Sequence, residues 1–140
     1  MNVTWPTTRE TALSEIGVLF DRLMAAQPVL LGDAQPPEKN GVYAFSLGNE
    51  IIYVGEASGS SGLRDRICRK HVSGDEGHAL QKEYQHQFPD RRLRRDFLKT
   101  NVLVQWVEIP DSLMVTAVEK LAIAILEPRL NESVKKRNFK

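Results

Sequence analysis

Residues 41–55 read Gly-Val-Tyr-Ala-Phe-Ser-Leu-Gly-Asn-Glu-Ile-Ile-Tyr-Val-Gly, and this stretch predicts a β-hairpin. β-Branched and aromatic residues in near alternation fill its two halves, as is typical of paired strands. Gly48 and Asn49 stand between the halves and are a common signal for a tight turn. Tyr43 lies on the first strand and Tyr53 on the second. The hairpin therefore presents one tyrosine from each strand.

The rest of the chain predicts helices around this hairpin and one more strand. The apolar run near residues 102–108 indicates a strand in a buried, central position. Residues 29–40 contain Gly and Pro and predict an irregular connector. We expect a small α/β (α+β) domain: a three-stranded, mainly antiparallel sheet flanked by helices, with an extra N-terminal helix and a helical insertion. The predicted strands lie near residues 41–47, 51–55 and 102–108, and the predicted helices cover residues 8–26, 63–71, 78–88, 91–99 and 112–126.

The composition excludes several classes of protein. The chain has 140 residues, of which 41% are hydrophobic and 26% charged, so collagen-like and wholly disordered chains are excluded. Its longest apolar run, residues 121–126, is far shorter than the roughly 20 residues that span a bilayer. The single Cys68 excludes an intramolecular disulfide framework and a Cys-rich zinc site. Since the first residues lack the pattern of a secretory signal, we expect a cytoplasmic protein, nucleoid-associated if bacterial.

Glu119 is the most informative residue of the apolar helix at 112–126. Its neighbours three and four positions away are Val115, Thr116, Ala122 and Ile123. A buried carboxylate without a partner is costly, so Glu119 should meet an arginine, a hydroxyl or a metal ion. An internal ion pair without catalytic duty and a functional carboxylate both satisfy this requirement.

Five short elements follow one another along the sequence. They are Gly41-Val42-Tyr43, Tyr53-Val54-Gly55, Leu63 with Arg66 on a helix, Glu119 on a later helix, and Pro128-Arg129-Leu130-Asn131. In these elements the sequence resembles the GIY-YIG nuclease superfamily. The resemblance covers roughly residues 41–131, with a long insertion near 72–100. We therefore expect residues 41–133 to form a catalytic domain, after an N-terminal helix and connector at residues 1–40 and before a basic tail at residues 134–140.

This resemblance implies a metal-dependent endonuclease that hydrolyses DNA phosphodiester bonds. Glu119 would hold Mg²⁺ or Mn²⁺, which would act as a Lewis acid, and Arg66 would clamp the phosphate. Tyr43 would take a proton from the attacking water, as a phenolate or as a relay, and the phenolate form requires a strong downward pKa shift. Tyr53 would fix orientation, and Asn131 would close the site and order the surroundings of Glu119.

Two departures keep other functions open. Many members of the superfamily carry a lysine directly after the second glycine, where this chain has Glu56. The family often has a tyrosine or histidine shortly after the helix arginine, and His71 stands close to that position. His71 is therefore either a proton carrier or a simple helix-end residue. The alternatives are a catalytically degenerate nucleic-acid-binding module of the same fold, or a protein-interaction subunit.

Basic residues supply candidate contacts to DNA, although charge runs are often only solvated. The insertion lacks interleaved aromatic residues, so duplex or branched DNA is favoured over single strands. No separate DNA-reading domain is evident, so we expect a homodimer, a partner that supplies specificity or a structure-selective enzyme. The candidate nucleic-acid-binding residues are Arg64, Arg69, Lys70, Arg91, Arg92, Arg94 and Arg95.

Overall fold

The computed structural model describes residues 4–70 and 78–136, which form one four-stranded sheet with helices on its faces. A 3₁₀ turn covers Leu31–Asp33, and a π-helical turn covers Asp65–Lys70. The strands are β1 (Val29–Leu30), β2 (Gly41–Leu47), β3 (Glu50–Ala57) and β4 (Leu103–Glu108). The helices are α1 (Trp5–Ala25), α2 (Gly62–Arg64), α3 (Ala79–Tyr84), α4 (Arg91–Asn101), α5 (Ser112–Leu126) and α6 (Glu132–Lys136).

The sheet confirms the predicted fold class and adds one strand to it. Its order is β1-β4-β2-β3, and every neighbouring pair is antiparallel. β4 lies between β1 and β2, as its apolar sequence predicted. The expectation of three strands was wrong because β1 has only two residues, too few for a periodic pattern. Its pairing with β4 (Val29 with Val104, Leu30 with Leu103) depends on a partner distant in the chain.

The hairpin of β2 and β3 forms as predicted. Leu47 pairs with Glu50 across a two-residue turn, in which Gly48 adopts a left-handed φ of 63°. Ile52 is the extra residue of a β-bulge, since Phe45 pairs with Tyr53 and the next pair along β2 skips one residue of β3. β3 is the edge of the sheet formed by residues 4–70 and 78–136, so one side of this strand has no neighbouring strand from that part of the chain.

Each face of the sheet is covered by a separate apolar layer. Alternation along β2 places Tyr43 and Phe45 on one face and Val42 and Ala44 on the other. The layer on the first face takes its helical members from α3, α4 and the segment 63–67. The layer on the second face is formed with α1 and α5.

Local capping explains where α5 begins and ends. The side chain of Asp111 accepts a hydrogen bond from the backbone N–H of Leu113 at 2.9 Å, which satisfies one free donor of the first turn. Glu127 then leaves the helix with a left-handed φ of 45°, just before Pro128. Among the described residues, no helix combines the length and the apolar character that crossing a bilayer requires.

Candidate active site

Tyr43 and Tyr53 lie on the same face of the hairpin. The register pairs Tyr43 with Gly55 and Phe45 with Tyr53, so the tyrosines are diagonal neighbours across β2 and β3. Their ring centroids are 6.3 Å apart at an interplanar angle of 45°. Tyr43 is almost fully buried, whereas Tyr53 is half-buried. The two phenols therefore form one pair, with Tyr53 nearer to solvent.

Gly55 allows the ring of Tyr43 to cross β3. A Cβ atom on Gly55 would overlap the Tyr43 hydroxyl and also crowd the ring of Tyr53. Because glycine has no side chain, the hydroxyl of Tyr43 can reach over the edge strand. The second glycine of the hairpin motif thus has a steric function in addition to its place in the strand.

Arg66 reaches this edge from the π-helical turn at Asp65–Lys70. Leu63 and Ile67 are fully buried and anchor the turn. Arg66 is only partly buried and lines a cleft of about 230 Å³ together with Asp65 and the Ser- and Gly-rich loop at residues 57–62. A guanidinium beside loop hydroxyls is suited to bind an anion.

Glu119 faces the sheet from α5, and its predicted burial is confirmed by an exposure of 9%. Its Oε1 lies 3.2 Å from Nζ of Lys120, whose side chain is 67% exposed. Burial raises the pKa of the Glu119 carboxyl, and the negative charge of Glu56 raises it further. The pKa is lowered by the hydrogen bond and charge of Lys120 and by the charge of Arg66.

Electrostatic interactions connect the predicted site residues. The charge of Arg66 lowers the pKa of both Tyr43 and Tyr53, and the charge of Glu119 raises it in both. Charges influence one another in this way when they lie near each other in the fold. Tyr43, Tyr53, Arg66 and Glu119 come from four separate segments, and their side chains are therefore near enough to interact electrostatically.

The pKa values of both tyrosines are raised, which opposes the formation of a phenolate. Burial raises the pKa of Tyr43 well above that of a free phenol; the charges of Tyr53, Glu119 and Glu56 add to this shift, and Arg66 opposes it. Burial also raises the pKa of Tyr53, although Arg66 and a hydrogen bond with Tyr43 partly offset the shift. The protein's own residues thus favour the protonated form of both phenols.

Asn131 lies on the open edge of β3. Its Oδ1 accepts a hydrogen bond from the Val54 N–H at 3.0 Å, and its Nδ2 donates one to the Val54 carbonyl at 2.9 Å. The Leu130 N–H donates to the carbonyl of Ile52 at 3.0 Å. This segment covers part of the strand edge and, with Tyr53 and α3, borders a cleft of about 370 Å³. The Asn131 side chain is buried, and both its Oδ1 and its Nδ2 are engaged in these backbone contacts.

The donor atoms of the site fit a hard divalent cation. Residues 4–70 and 78–136 contain no group of three or more His, Cys, Asp or Glu side chains able to hold a metal. Two carboxylates, Glu119 and Glu56, influence the same region electrostatically. Oε2 of Glu56 is buried and has no hydrogen-bond partner among the described residues. Mg²⁺ is commonly held by one or two carboxylates with waters and substrate oxygens, so these residues fit such an ion.

The basic residues near Arg66 serve different contacts. Arg64 donates to the Pro36 carbonyl at 3.1 Å and to Glu38 at 2.8 Å, so it fixes the preceding connector. Arg69 is exposed and lies 3.7 Å from Asp65. Lys70 ends the π-helical turn, but its side chain lies outside the described part of the structure.

Three further candidate arginines lie on α4, which packs against the 3₁₀ turn and β1 at the opposite edge of the sheet from β3. Arg91 and Arg92 are exposed and Arg95 is half-buried.

The burial of Arg94 contradicts its predicted contact with DNA. It is fully buried: Nε donates to Gln81 at 2.5 Å and Nη1 donates to the Phe88 carbonyl at 2.8 Å. The spacing of four residues to the buried Leu98 places Arg94 on the inner face of α4. It therefore joins α3 to α4 and cannot reach a ligand on the surface.

The remaining predicted candidates fall outside the described residues. His71 and the end of the basic tail, residues 137–140, belong to this group, as do residues 72–77 of the predicted insertion. Two other residues, Glu56 and Lys120, were not predicted as site residues. Both had a visible signal, because each is a charge directly beside a motif residue, Gly55 or Glu119.

The chain is similar to several solved structures of GIY-YIG endonuclease domains. One is the N-terminal domain of UvrC from Thermotoga maritima bound to magnesium, with 16% identity, a TM-score of 0.46, and coverage of 81% of this chain and 96% of that chain. A point mutant of that domain with its catalytic divalent cation has 15% identity, the same coverage and the same TM-score.

A second point mutant has 16% identity, covers 81% of this chain and 94% of that chain, and also has a TM-score of 0.46. No protein-family model matches the sequence, and no curated protein matches it. Because the likeness is this low, the residue roles proposed below rest on the geometry of this chain.

Proposed function

We propose that this protein is a metal-dependent endonuclease that hydrolyses DNA phosphodiester bonds. The observation that supports the proposal is that Tyr43 and Tyr53 are neighbours and that the charges of Arg66 and Glu119 act on both phenols. Hydrolysis of a phosphodiester requires positive charge near the phosphate oxygens, a route for the proton of the attacking water, and stabilisation of the leaving oxygen. The four residues offer groups suited to these needs.

Arg66 is proposed to bind the scissile phosphate. Its planar guanidinium can donate two parallel hydrogen bonds to phosphate oxygens. The hydroxyl-rich loop at residues 57–62 shares the cleft with Arg66 and can accept the neighbouring part of the backbone. Binding there would hold the phosphate between the turn and the hairpin.

Tyr43 and Tyr53 are proposed to move and hold the proton of the attacking water. Because burial favours the protonated form of Tyr43, its hydroxyl can pass a proton onward while accepting another, without a stable phenolate. The hydrogen bond between the two phenols offers such a path towards the more exposed Tyr53, which would release its own proton to solvent. The fixed rings would also orient the water.

Glu119 would hold the divalent cation, Mg²⁺ or Mn²⁺. When bound, that ion supplies Lewis-acid stabilisation of charge on the phosphate oxygens. Lys120 now contacts Glu119 and would have to turn away, which its exposed side chain permits. Asn131 is proposed as a positioning residue, because its bonds to Val54 hold the edge strand beside the site.

DNA is proposed as the substrate, with duplex or branched forms favoured. Exposed Arg69, Arg91 and Arg92 can meet phosphates beyond the cleavage point, which gives affinity without sequence information. Specificity would then come from DNA structure, from a second copy or from a partner. We expect residues 41–133 to form the catalytic unit, and the protein to act in the cytoplasm, at the nucleoid if bacterial.

Nicking of supercoiled plasmid with Mg²⁺ or Mn²⁺ tests the proposal. Arg66→Ala and Glu119→Gln should each reduce nicking at least about 100-fold, since they remove charge stabilisation in the transition state. Arg22→Ala on α1 and Glu108→Gln on β4 are matched controls at exposed positions and should nick normally. The proposal fails if no metal and substrate combination gives nicking, or if the Arg66 and Glu119 variants remain active.

A catalytically degenerate binding module is the second candidate. Two observations favour this candidate. Glu119 is already paired with Lys120, whereas an open cation site would leave the carboxylate free. Glu56 adds negative charge beside the place that a phosphate would occupy. DNA binding without nicking by the wild-type protein would support this candidate. Absence of DNA binding even at low salt would instead favour a protein-interaction subunit.

A further inference from the structure

Glu56 belongs to the layer of the sheet that α5 covers. Val54, two positions earlier in β3, and Val42, the cross-strand partner of Glu56, both lie in that apolar layer. Side chains two apart on a strand share a face, so the carboxylate of Glu56 leaves β3 on the side of α5. Glu119 is on the buried side of α5 that packs there. The two carboxylates thus enter the same space from opposite elements.

Within this space, Glu56 has an uncompensated oxygen. Its Oε2 is buried without a hydrogen-bond partner among the described residues, and none of the described cations forms an ion pair with it. The nearby ammonium of Lys120 is bound to Glu119 instead, at 3.2 Å. The charge of Glu56 raises the pKa of Glu119, as expected for two close negative groups. A bound cation would stabilise a buried acceptor that lies beside a second carboxylate.

We propose that Glu56 is a second carboxylate ligand of the divalent cation that Glu119 would hold, either directly or through one bound water. This inference rests on the proposed function and adds to its ligand set. Hard cations such as Mg²⁺ accept one or two carboxylates and complete their shell with waters and phosphate oxygens. The glutamate that replaces the lysine of related sequences then strengthens cation binding at the site, whereas a lysine there would repel the ion.

Binding of Mn²⁺ to the full chain without DNA tests this role independently of activity. Isothermal titration calorimetry should show an affinity for Mn²⁺ that Glu56→Gln lowers roughly tenfold or more, the range typical of residues that support a metal site. Glu108→Gln makes the same chemical change at an exposed position of β4 and should leave the affinity unchanged. Glu56→Asp keeps a carboxylate and should retain more affinity than Glu56→Gln.

A measurement on the wild-type protein removes any dependence on the folding of a variant. With carbon-13-labelled glutamate, the carboxyl signals of Glu56 and Glu119 should shift over the same range of Mg²⁺ concentration, while that of Glu108 stays in place. A stationary Glu56 signal beside a shifting Glu119 signal would overturn the inference, as would unchanged Mn²⁺ affinity in Glu56→Gln.

The two proposals fail in different ways. If Glu119→Gln loses Mn²⁺ binding and nicking while Glu56→Gln retains both, the second ligand is wrong and the nuclease proposal stands. If the wild-type chain binds neither Mn²⁺ nor Mg²⁺ at millimolar concentration, the second ligand and the metal-dependent cleavage are both wrong.

Discussion

Both ends of the Asn131 side-chain amide are hydrogen-bonded to the backbone of Val54, its Oδ1 to the N–H at 3.0 Å and its Nδ2 to the carbonyl at 2.9 Å. Val54 lies on the edge strand, so these backbone groups have no strand neighbour on that side. Asn131 thus mimics one residue of an additional strand. It fixes the segment after α5 next to the residues that precede Gly55 and Glu56.

Replacement of Asn131 by Ala should therefore act first on stability. Two buried backbone groups would lose their partner, and we expect a loss of about 2–3 kcal/mol in the free energy of unfolding. Urea titration checks this value, with Asn101→Ala as the control because the Asn101 amide bonds only to exposed groups on α4. Loss of nicking at unchanged stability would instead indicate that Asn131 contacts the substrate.

Replacement of Glu119 by Gln should stabilise the protein as the pH rises. The pKa of Glu119 is raised in the folded chain above its ordinary value of 4.5. Between the ordinary and the raised pKa, the folded state holds more protons than the unfolded state, so this group lowers stability as pH increases. The Glu119→Gln variant does not lose stability in this way as the pH rises.

Melting temperatures from pH 4 to pH 8 without metal check this sign. The difference between Glu119→Gln and wild type should grow through the window above pH 4.5 and then level off. A difference that is largest at low pH would show that the charged form of Glu119 is the one the fold stabilises.

Lys120 should compete with the cation for Glu119. Its ammonium lies 3.2 Å from Oε1, but its side chain is largely exposed, so solvent screens the pair. We expect Lys120→Met to raise the affinity for Mn²⁺ about 2- to 5-fold, which matches the small free energy of an exposed ion pair. Calorimetry checks this, with Lys99→Met as a control on an exposed turn of α4. A weaker affinity in Lys120→Met would show that Lys120 supports the carboxylate geometry.

Of the arginines of α4, we expect Arg94 to contribute to stability and Arg92 to contribute to DNA binding. Arg94→Ala leaves Gln81 and a buried backbone carbonyl without their donor, and we expect a loss of about 3 kcal/mol in the free energy of unfolding. Arg92→Ala should leave stability unchanged and weaken DNA binding, with the salt-dependence slope reduced by about one. Chemical unfolding and fluorescence anisotropy at several salt concentrations measure both effects. A stable Arg94→Ala protein with weak DNA binding would reverse this assignment.

Local sequence patterns were sufficient for the hairpin, for the fold class and for the burial of Glu119. Gly48 supplies the positive φ of a two-residue turn, and alternation along the flanking residues assigns their faces. The apolar neighbours of Glu119 at helical spacing predict that it points to the core, and its exposure of 9% agrees. Such features depend on residues a few positions apart, whose geometry is the same in any fold.

Tertiary contacts decided the features that local patterns could not reveal. Asn131 and Val54 are 77 positions apart, and β1 is too short to be seen without β4. Which arginine of α4 is buried depends on what lies beneath that helix, here Gln81 of α3. The pKa of Tyr43 rises because distant segments remove its hydroxyl from water and add negative charge around it. Desolvation and electrostatic interaction depend on distance in space rather than on separation along the chain, so only the folded arrangement sets them.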